Sequence, residues 1–332
     1  MSAMRVTVIG AGVAGMVTAI ELASRGARVE IVERGAGPGA QACAWFAGGM
    51  LAPWCEQATA EPQVAALGAA SIAWWQRHFA DTVQRGTLVV AASRDAGELE
   101  LFGRRTDRFE AADAALIGAL EPDLAGRFHR GLFFPDEAHL DPRRALQALT
   151  AQLDAMGVAI RYGVDADVER VVADRVIDCR GIAARDTLED LRGVRGEMIM
   201  LRAPDIHLTR PVRLLHPRFG VYVIPRGQGV FMLGGTLLES SSHGPVTVRS
   251  AMDLLNAAYT LHPAFAEAQI LELGVGVRPA FPDNLPRVSR RGNVIHVNGL
   301  YRHGFLLSPA MAQQAAQMAL ANIPEASACI SS

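Results

Sequence analysis

Lysine is absent from the 332 residues; all 32 basic side chains are arginine. Chemistry that needs a protein amine is therefore excluded, whether a Schiff base, a phosphate-loop lysine or a lysine general base. Cysteine is scarce, at positions 43, 55, 179 and 329. No pair has the Cys-x-x-Cys spacing of a zinc knuckle or a thioredoxin-like site, so no metal centre is expected. So few thiols, without a pairing pattern, suit a reducing compartment. No uninterrupted apolar run reaches the ~18 residues of a membrane span. The start, Met-Ser-Ala-Met-Arg, runs at once into an apolar strand with no signal-peptide core. A cytoplasmic location is expected. An excess of one charge is also missing: 32 basic residues face 34 acidic ones, for a net charge of −2. With no basic stripe, nucleic acid is not an expected partner.

What is present is material for a large core. Half the residues are hydrophobic, and at ~150 residues per domain the length suggests about two domains. The start is the clearest part. Arg5 to Ile9 is a short β-rich run. Gly-Ala-Gly-Val-Ala-Gly follows at 10–15, and an alanine-rich helical pattern then runs to Ser24 and stops at Gly26. Arg28 to Val32 is a second strand, ending in Glu33.

Gly10, Gly12 and Gly15 thus form Gly-x-Gly-x-x-Gly between a strand and a helix. The first permits a tight turn, the second lets a pyrophosphate approach the backbone, and the third lets helix and strand pack closely. The helix N-terminus favours the negative charge. Glu33, about 20 residues on, is placed to accept from ribose hydroxyls. Strand, glycines, helix and acid in register predict a dinucleotide site, but do not separate FAD from NAD.

Further along, a helical pattern covers 61–81 and a strand Gly86 to Ala92. Helices are expected near 96–108 and 112–120, a strand at Gly131 to Phe134, and a helix opening at Pro142 and ending near Met156. Short strands follow near 158–161 and 174–178. From Val194 to Thr236 strands dominate, with a hairpin in which Val221 to Pro225 and Val230 to Gly235 flank Arg-Gly-Gln-Gly. A helix near 248–260, strands at 270–278 and 293–297, and a last helix at 308–321 complete the reading.

Ala-Gly-Gly-Met-Leu-Ala-Pro at 47–53 resembles the flavin-contacting loop of the D-amino-acid-oxidase-like FAD enzymes, and within them the glycine oxidases of thiamine biosynthesis. Leu120-Glu121-Pro122, His139-Leu140-Asp141-Pro142, Val194-Arg195-Gly196-Glu197 and Tyr222-Val223-Ile224-Pro225-Arg226 match in family order. So do Arg278-Pro279 with Asp283 and Pro286, and Asn298-Gly299-Leu300-Tyr301-Arg302-His303-Gly304. The resemblance implies an α/β (overall α+β) architecture. A Rossmann-like FAD domain of the glutathione-reductase type, from residues 1–60, 138–196 and 270–325, would join an antiparallel-sheet substrate domain from 61–137 and 197–269.

It also implies roles. Val13, Ala14, Glu33 and Arg34 would contact the ADP half of FAD, and Val168 the adenine side through its backbone. Cys43, Ala44, Gly48, Gly49 and Met50 would line the flavin, and Leu300, Tyr301, Arg302, His303, Gly304, Phe305 and Leu306 would wrap its edge. Arg278 would clamp a substrate carboxylate, with Tyr222 and Arg302 completing the pocket. A guanidinium suits this grip because it binds a carboxylate bidentately. His303 and His216 read as structural or flavin-edge residues, Trp74 and Trp75 as core, and Trp45 and Trp54 as brackets of the flavin loop. No cysteine stands beside the arginine loop, so FAD is expected to be non-covalent.

The implied reaction is oxidation of glycine, with dioxygen as acceptor and peroxide as product. A D-amino-acid or sarcosine oxidase, or a dehydrogenase using another acceptor, shares every motif. A flavin-binding scaffold or sensor without turnover would not need a carboxylate clamp. Homo-oligomers are common among such enzymes, although no interface signature stands out here.

Overall fold

The computed structural model describes residues 3–39, 41–217 and 220–321, so Cys329 and the end of the expected 270–325 segment lie outside the described residues. The opening β-α-β unit forms as its sequence dictates. Arg5–Ile9 pairs in parallel with Arg28–Glu33, Val6 opposite Val29 and Val8 opposite Ile31. Helix Val13–Ser24 connects them, with Met16, Val17, Ala19, Ile20 and Leu22 buried. It closes on Gly26 at φ +87°. There the Gly26 amide donates to Ala23 O (3.0 Å) and the Ala27 amide to Leu22 O (3.2 Å), so the end carbonyls are satisfied.

This unit sits in a six-stranded sheet ordered Arg287–Arg291, Val294–Asn298, Arg175–Asp178, Arg5–Ile9, Arg28–Glu33, Ala159–Tyr162. The last five are mutually parallel; Arg287–Arg291 is an antiparallel edge. That edge has no expected counterpart. Its residues, Arg-Val-Ser-Arg-Arg, alternate exposed and half-buried, so no apolar period marks it. Helix Pro142–Ala155 opens as expected, with Asp141 accepting from the Arg143 and Arg144 amides (2.9 and 3.3 Å).

The second sheet has eight strands, ordered Gln269–Ala280, Arg192–Arg202, Val230–Gly234, Val221–Gly227, Val212–Leu215, Thr87–Ala91, Arg130–Phe134, Glu110–Asp113. It is antiparallel except for one parallel pair, Val212–Leu215 with Thr87–Ala91. The strands Arg192–Arg202 and Gln269–Ala280 run through positions 196 and 270 without a break, and pair with each other in this sheet. One face packs on helix Val248–Leu261. Across the sheet Arg213 opposes Tyr222, Tyr222 opposes Gly234, and Gly234 opposes Met198.

Two helical expectations change. The stretch 61–81 is two helices, Pro62–Gly68 and Ser71–His78, each packed on the last helix. A Cβ at Gly68 would lie 2.7 Å from Leu306 Cγ, so this glycine sets how closely the first can approach. The last helix is Gly304–Leu320 and starts four residues before 308, with Pro309 inside it. Phe305 O thereby loses its i+4 donor, and the Trp75 indole N–H replaces it at 2.8 Å. Trp74 and Trp75 are core, as expected. No helix among the described residues is long and apolar enough to cross a membrane.

Candidate active site

One cleft of about 1930 Å³, its open mouth included, runs from the glycine-rich turn to the eight-stranded sheet. At its nucleotide end Gly10, Gly12, Val13, Ala14, Glu33 and Arg34 line the wall. A Cβ at Gly10 would lie 2.6 Å from Cys179 O, and one at Gly15 1.9 Å from Gly10 O. Gly15 is thus a packing residue behind the wall. A Cβ at Gly12 would meet nothing within 4 Å, which leaves room for a group to rest on the turn. The helix starting at Val13 has no side-chain cap, so its first amides remain available. Glu33 accepts from the Ala11 amide (2.7 Å) and the Gly35 amide (2.8 Å), tying the glycine-rich turn to the loop that follows the second strand.

The Val168 side chain packs with Ile9, Val32 and Val176, and Val164, Asp165 and Ala166 form the neighbouring stretch of wall; the expected contact runs through the Val168 backbone, which this packing leaves open. The short turn Val168–Arg170 follows the wall segment rather than forming it.

The loop at Cys43, Ala44, Gly48, Gly49 and Met50 lines the middle of the cleft. It is fixed by Arg226, which donates to Leu140 O (3.0 Å), Gly48 O (2.8 Å) and Ala47 O (3.4 Å). Burial lowers the Arg226 guanidinium to about 10, which leaves it charged at neutral pH. Burial pushes the Cys43 thiol up, against the pull of Arg278. Trp45 and Trp54 are not in the wall; they stack under Arg143 (4.8 Å) and Arg108 (4.4 Å).

Residues Leu300 to Leu306 line the cleft from the other side. Tyr301 sits at φ +50°, and its amide donates to Pro279 O (3.0 Å), tying this loop to the strand that carries Arg278. His303 is buried at the start of the last helix, which also has no side-chain cap. Burial, reinforced by nearby arginines, lowers its imidazole to about 4.

Tyr222 and Arg278 meet over a floor of glycines. A Cβ at Gly196 would lie 2.1 Å from Arg278 Nη2, and one at Gly234 2.8 Å from the Tyr222 ring. A Cβ at Gly235 would lie 3.1 Å from Tyr222 Oη and 3.5 Å from Arg278 Nη2, so the two polar ends are neighbours. Arg278 donates to Thr236 O (3.1 Å) and has no acid partner among the described residues.

Arg302 is in the wall but is not free: its Nη2 bonds Glu56 and Thr59 Oγ1 (3.2 Å). Glu56 puts its other oxygen on Arg213 Nη2, and His303 Nδ1 stands 3.6 Å away. Burial pushes the Glu56 carboxyl up, but Arg302, Arg213 and His303 outweigh it and hold the group well below the usual carboxylate range. Glu56 and Arg213 both line the cleft, and both escaped the reading of the sequence. Their signals were slight: an acid just after the flavin-like loop, and one arginine in the strand Val-Arg-Leu-Leu. Among the described residues no group of three or more His, Cys, Asp or Glu side chains could hold a metal ion.

The family model for FAD dependent oxidoreductases (DAO) matches residues 5–318. The chain belongs to this family. It is 54% identical over 320 residues to a protein of Rhizobium etli named as thiamine biosynthesis oxidoreductase ThiO, covering 96% of this chain and 97% of that one. It is 29% identical to a glycine oxidase of Pseudomonas aeruginosa, over 92% of each chain. In fold it is similar to the crystal structure of glycine oxidase from Bacillus cereus, with TM-score 0.81 and 22% identity, covering 95% and 94% of the two chains. The protein is an FAD-dependent oxidoreductase, and the glycine cradle, the uncapped helix starts and Glu33 suit that cofactor.

Proposed function

We propose that the protein oxidises glycine to iminoglycine. Dioxygen becomes hydrogen peroxide, and the imine either serves thiazole assembly for thiamine or is hydrolysed by water to glyoxylate and ammonia. The observation that carries this reading is Arg278: a half-buried guanidinium beside the Tyr222 hydroxyl, without an acid partner among the described residues. A protein that only stored a flavin would not need an unpaired cation in its wall. The names of the Rhizobium and Pseudomonas relatives support the choice of amine and pathway.

In this reading Gly10, Gly12, Val13 and Ala14 hold the pyrophosphate, and Glu33 and Arg34 the adenosine. Cys43, Ala44, Gly48, Gly49, Met50 and residues 300–306 surround the isoalloxazine. The raised Cys43 thiol stays protonated, which favours non-covalent binding. Bound FAD supplies the two-electron acceptor. Arg278 and Tyr222 grip the carboxylate and so aim the Cα–H. No side chain is assigned as base: Glu56 is locked between two arginines and the substrate enters as the free amine.

The test is an anaerobic visible spectrum of the holoenzyme before and after glycine. Bleaching of the oxidised-flavin band, reversed by air with release of peroxide, is expected. An unchanged band with glycine, but bleaching with D-alanine or sarcosine, would replace the substrate.

A further inference from the structure

Tyr222 has an arginine on each side. Arg278 reaches it over Gly196, and Arg213 is its direct cross-strand partner. Such partners have Cβ atoms ~4.5–5.5 Å apart. Arg213 also approaches the flavin-like loop, with Nη2 at 4.0 Å from Met50 Sδ. Glu56 gives one oxygen to Arg213 and one to Arg302, and with Glu137 only partly ionised at neutral pH the two acids leave these two cations a fractional positive charge. Glu137, the other acid near Arg213, accepts from the Cys55 amide (2.7 Å). Among the described residues the buried Arg213 Nε has no hydrogen-bond partner, and Arg302 commits only Nη2.

The Tyr222 end of the cleft therefore carries three guanidiniums, Arg213, Arg278 and Arg302, against the Glu56 carboxylate and a partly protonated Glu137 nearby. One substrate carboxylate satisfies Arg278 and Tyr222. It leaves the positive charge of the Arg213 cluster facing an anion that glycine does not possess.

We propose that Arg213, with Arg302, forms a second anion subsite, and that the pocket prefers amines bearing two acidic groups, the amine dicarboxylates, over glycine. This rests on the amine-oxidation reading above and names its substrate class. Iminodiacetate and D-aspartate are the simplest substrates that would span both ends.

The test uses FAD-loaded protein without turnover. Acetate, malonate, succinate and glutarate are titrated in, and the shift of the visible flavin band is followed. The best dicarboxylate is expected to bind at least about tenfold tighter than acetate, the scale of one added charge-assisted contact. In Arg213→Leu that advantage should collapse while acetate binding holds, and Arg213→Lys should recover part of it. The subsite is overturned if no dicarboxylate outbinds acetate in the wild type, or if Arg213→Leu weakens both alike. Should Arg213→Leu fail to hold FAD, the wild-type comparison decides by itself. Selective dicarboxylate binding with no bleaching by glycine would refute the glycine reading and leave the subsite standing.

Discussion

The indole N–H of Trp75 donates to the carbonyl of Phe305 at 2.8 Å, the carbonyl that Pro309 cannot serve. A side chain 230 positions upstream thereby completes the first turn of the last helix, whose opening residues line the cleft. Removing this donor leaves the buried carbonyl only the long contact from the Ser71 hydroxyl at 3.5 Å. Trp75→Phe should cost about 1–3 kcal/mol in urea unfolding. Pro309→Ala in the same background should return part of that, because it restores the helical donor. A Trp75→Phe protein as stable as the wild type would show that the Ser71 hydroxyl or water serves the carbonyl.

Arg226 ties the flavin-like loop, through the Ala47 and Gly48 carbonyls, to the Leu140 carbonyl. Arg226→Leu should weaken FAD binding by about tenfold or more, since those carbonyls lose a charged donor. Equilibrium dialysis of the folded apoprotein with FAD measures it. Unchanged affinity would mean the loop keeps its shape without the clamp.

Arg278→Ala should reduce glycine kcat/KM by about a hundredfold or more while FAD remains bound, and Arg278→Lys should restore only a fraction, because an ammonium cannot pair bidentately. Wild-type turnover in the alanine variant would remove Arg278 from the substrate grip.

Glu137 is buried, one oxygen on the Cys55 amide and the other without a partner. Burial, opposed by Arg213, pushes its carboxyl up to about 7 from an ordinary 4.5. Between these values the native state binds more protons than the unfolded chain, so this group's contribution to stability falls as pH rises from 4.5 to 7. Glu137→Gln keeps an acceptor for Cys55 and cannot ionise. Relative to wild type it should gain about 3 kcal/mol across that window. His303, lowered to about 4, works in the opposite sense, losing stability as pH falls below its ordinary 6.5. It is common to both proteins and cancels in the difference. A flat difference between the two unfolding-free-energy profiles would refute the raised carboxyl.

Much of the fold was legible locally because its signals are local. The Gly10-Gly12-Gly15 turn, the Schellman end at Gly26 and the Asp141–Pro142 helix start are each determined by neighbours within a few residues. Strand Arg287–Arg291 was not legible, since a polar edge strand has no apolar period to read. The last helix starts before the expected 308 because Pro309 is accommodated inside it, and the compensating donor is far away in sequence.

The sequence by itself determined the dinucleotide turn, the acid that closes it and the residue types able to grip a carboxylate, because these depend on spacing and on side-chain chemistry. Tertiary structure decided the electrostatics of the pocket. It brought Glu56 between Arg213 and Arg302, and left Arg278 beside Tyr222 without an acid partner among the described residues. Those outcomes depend on which strands become neighbours and on what burial does to a charge, and neither is written in any short stretch of the chain.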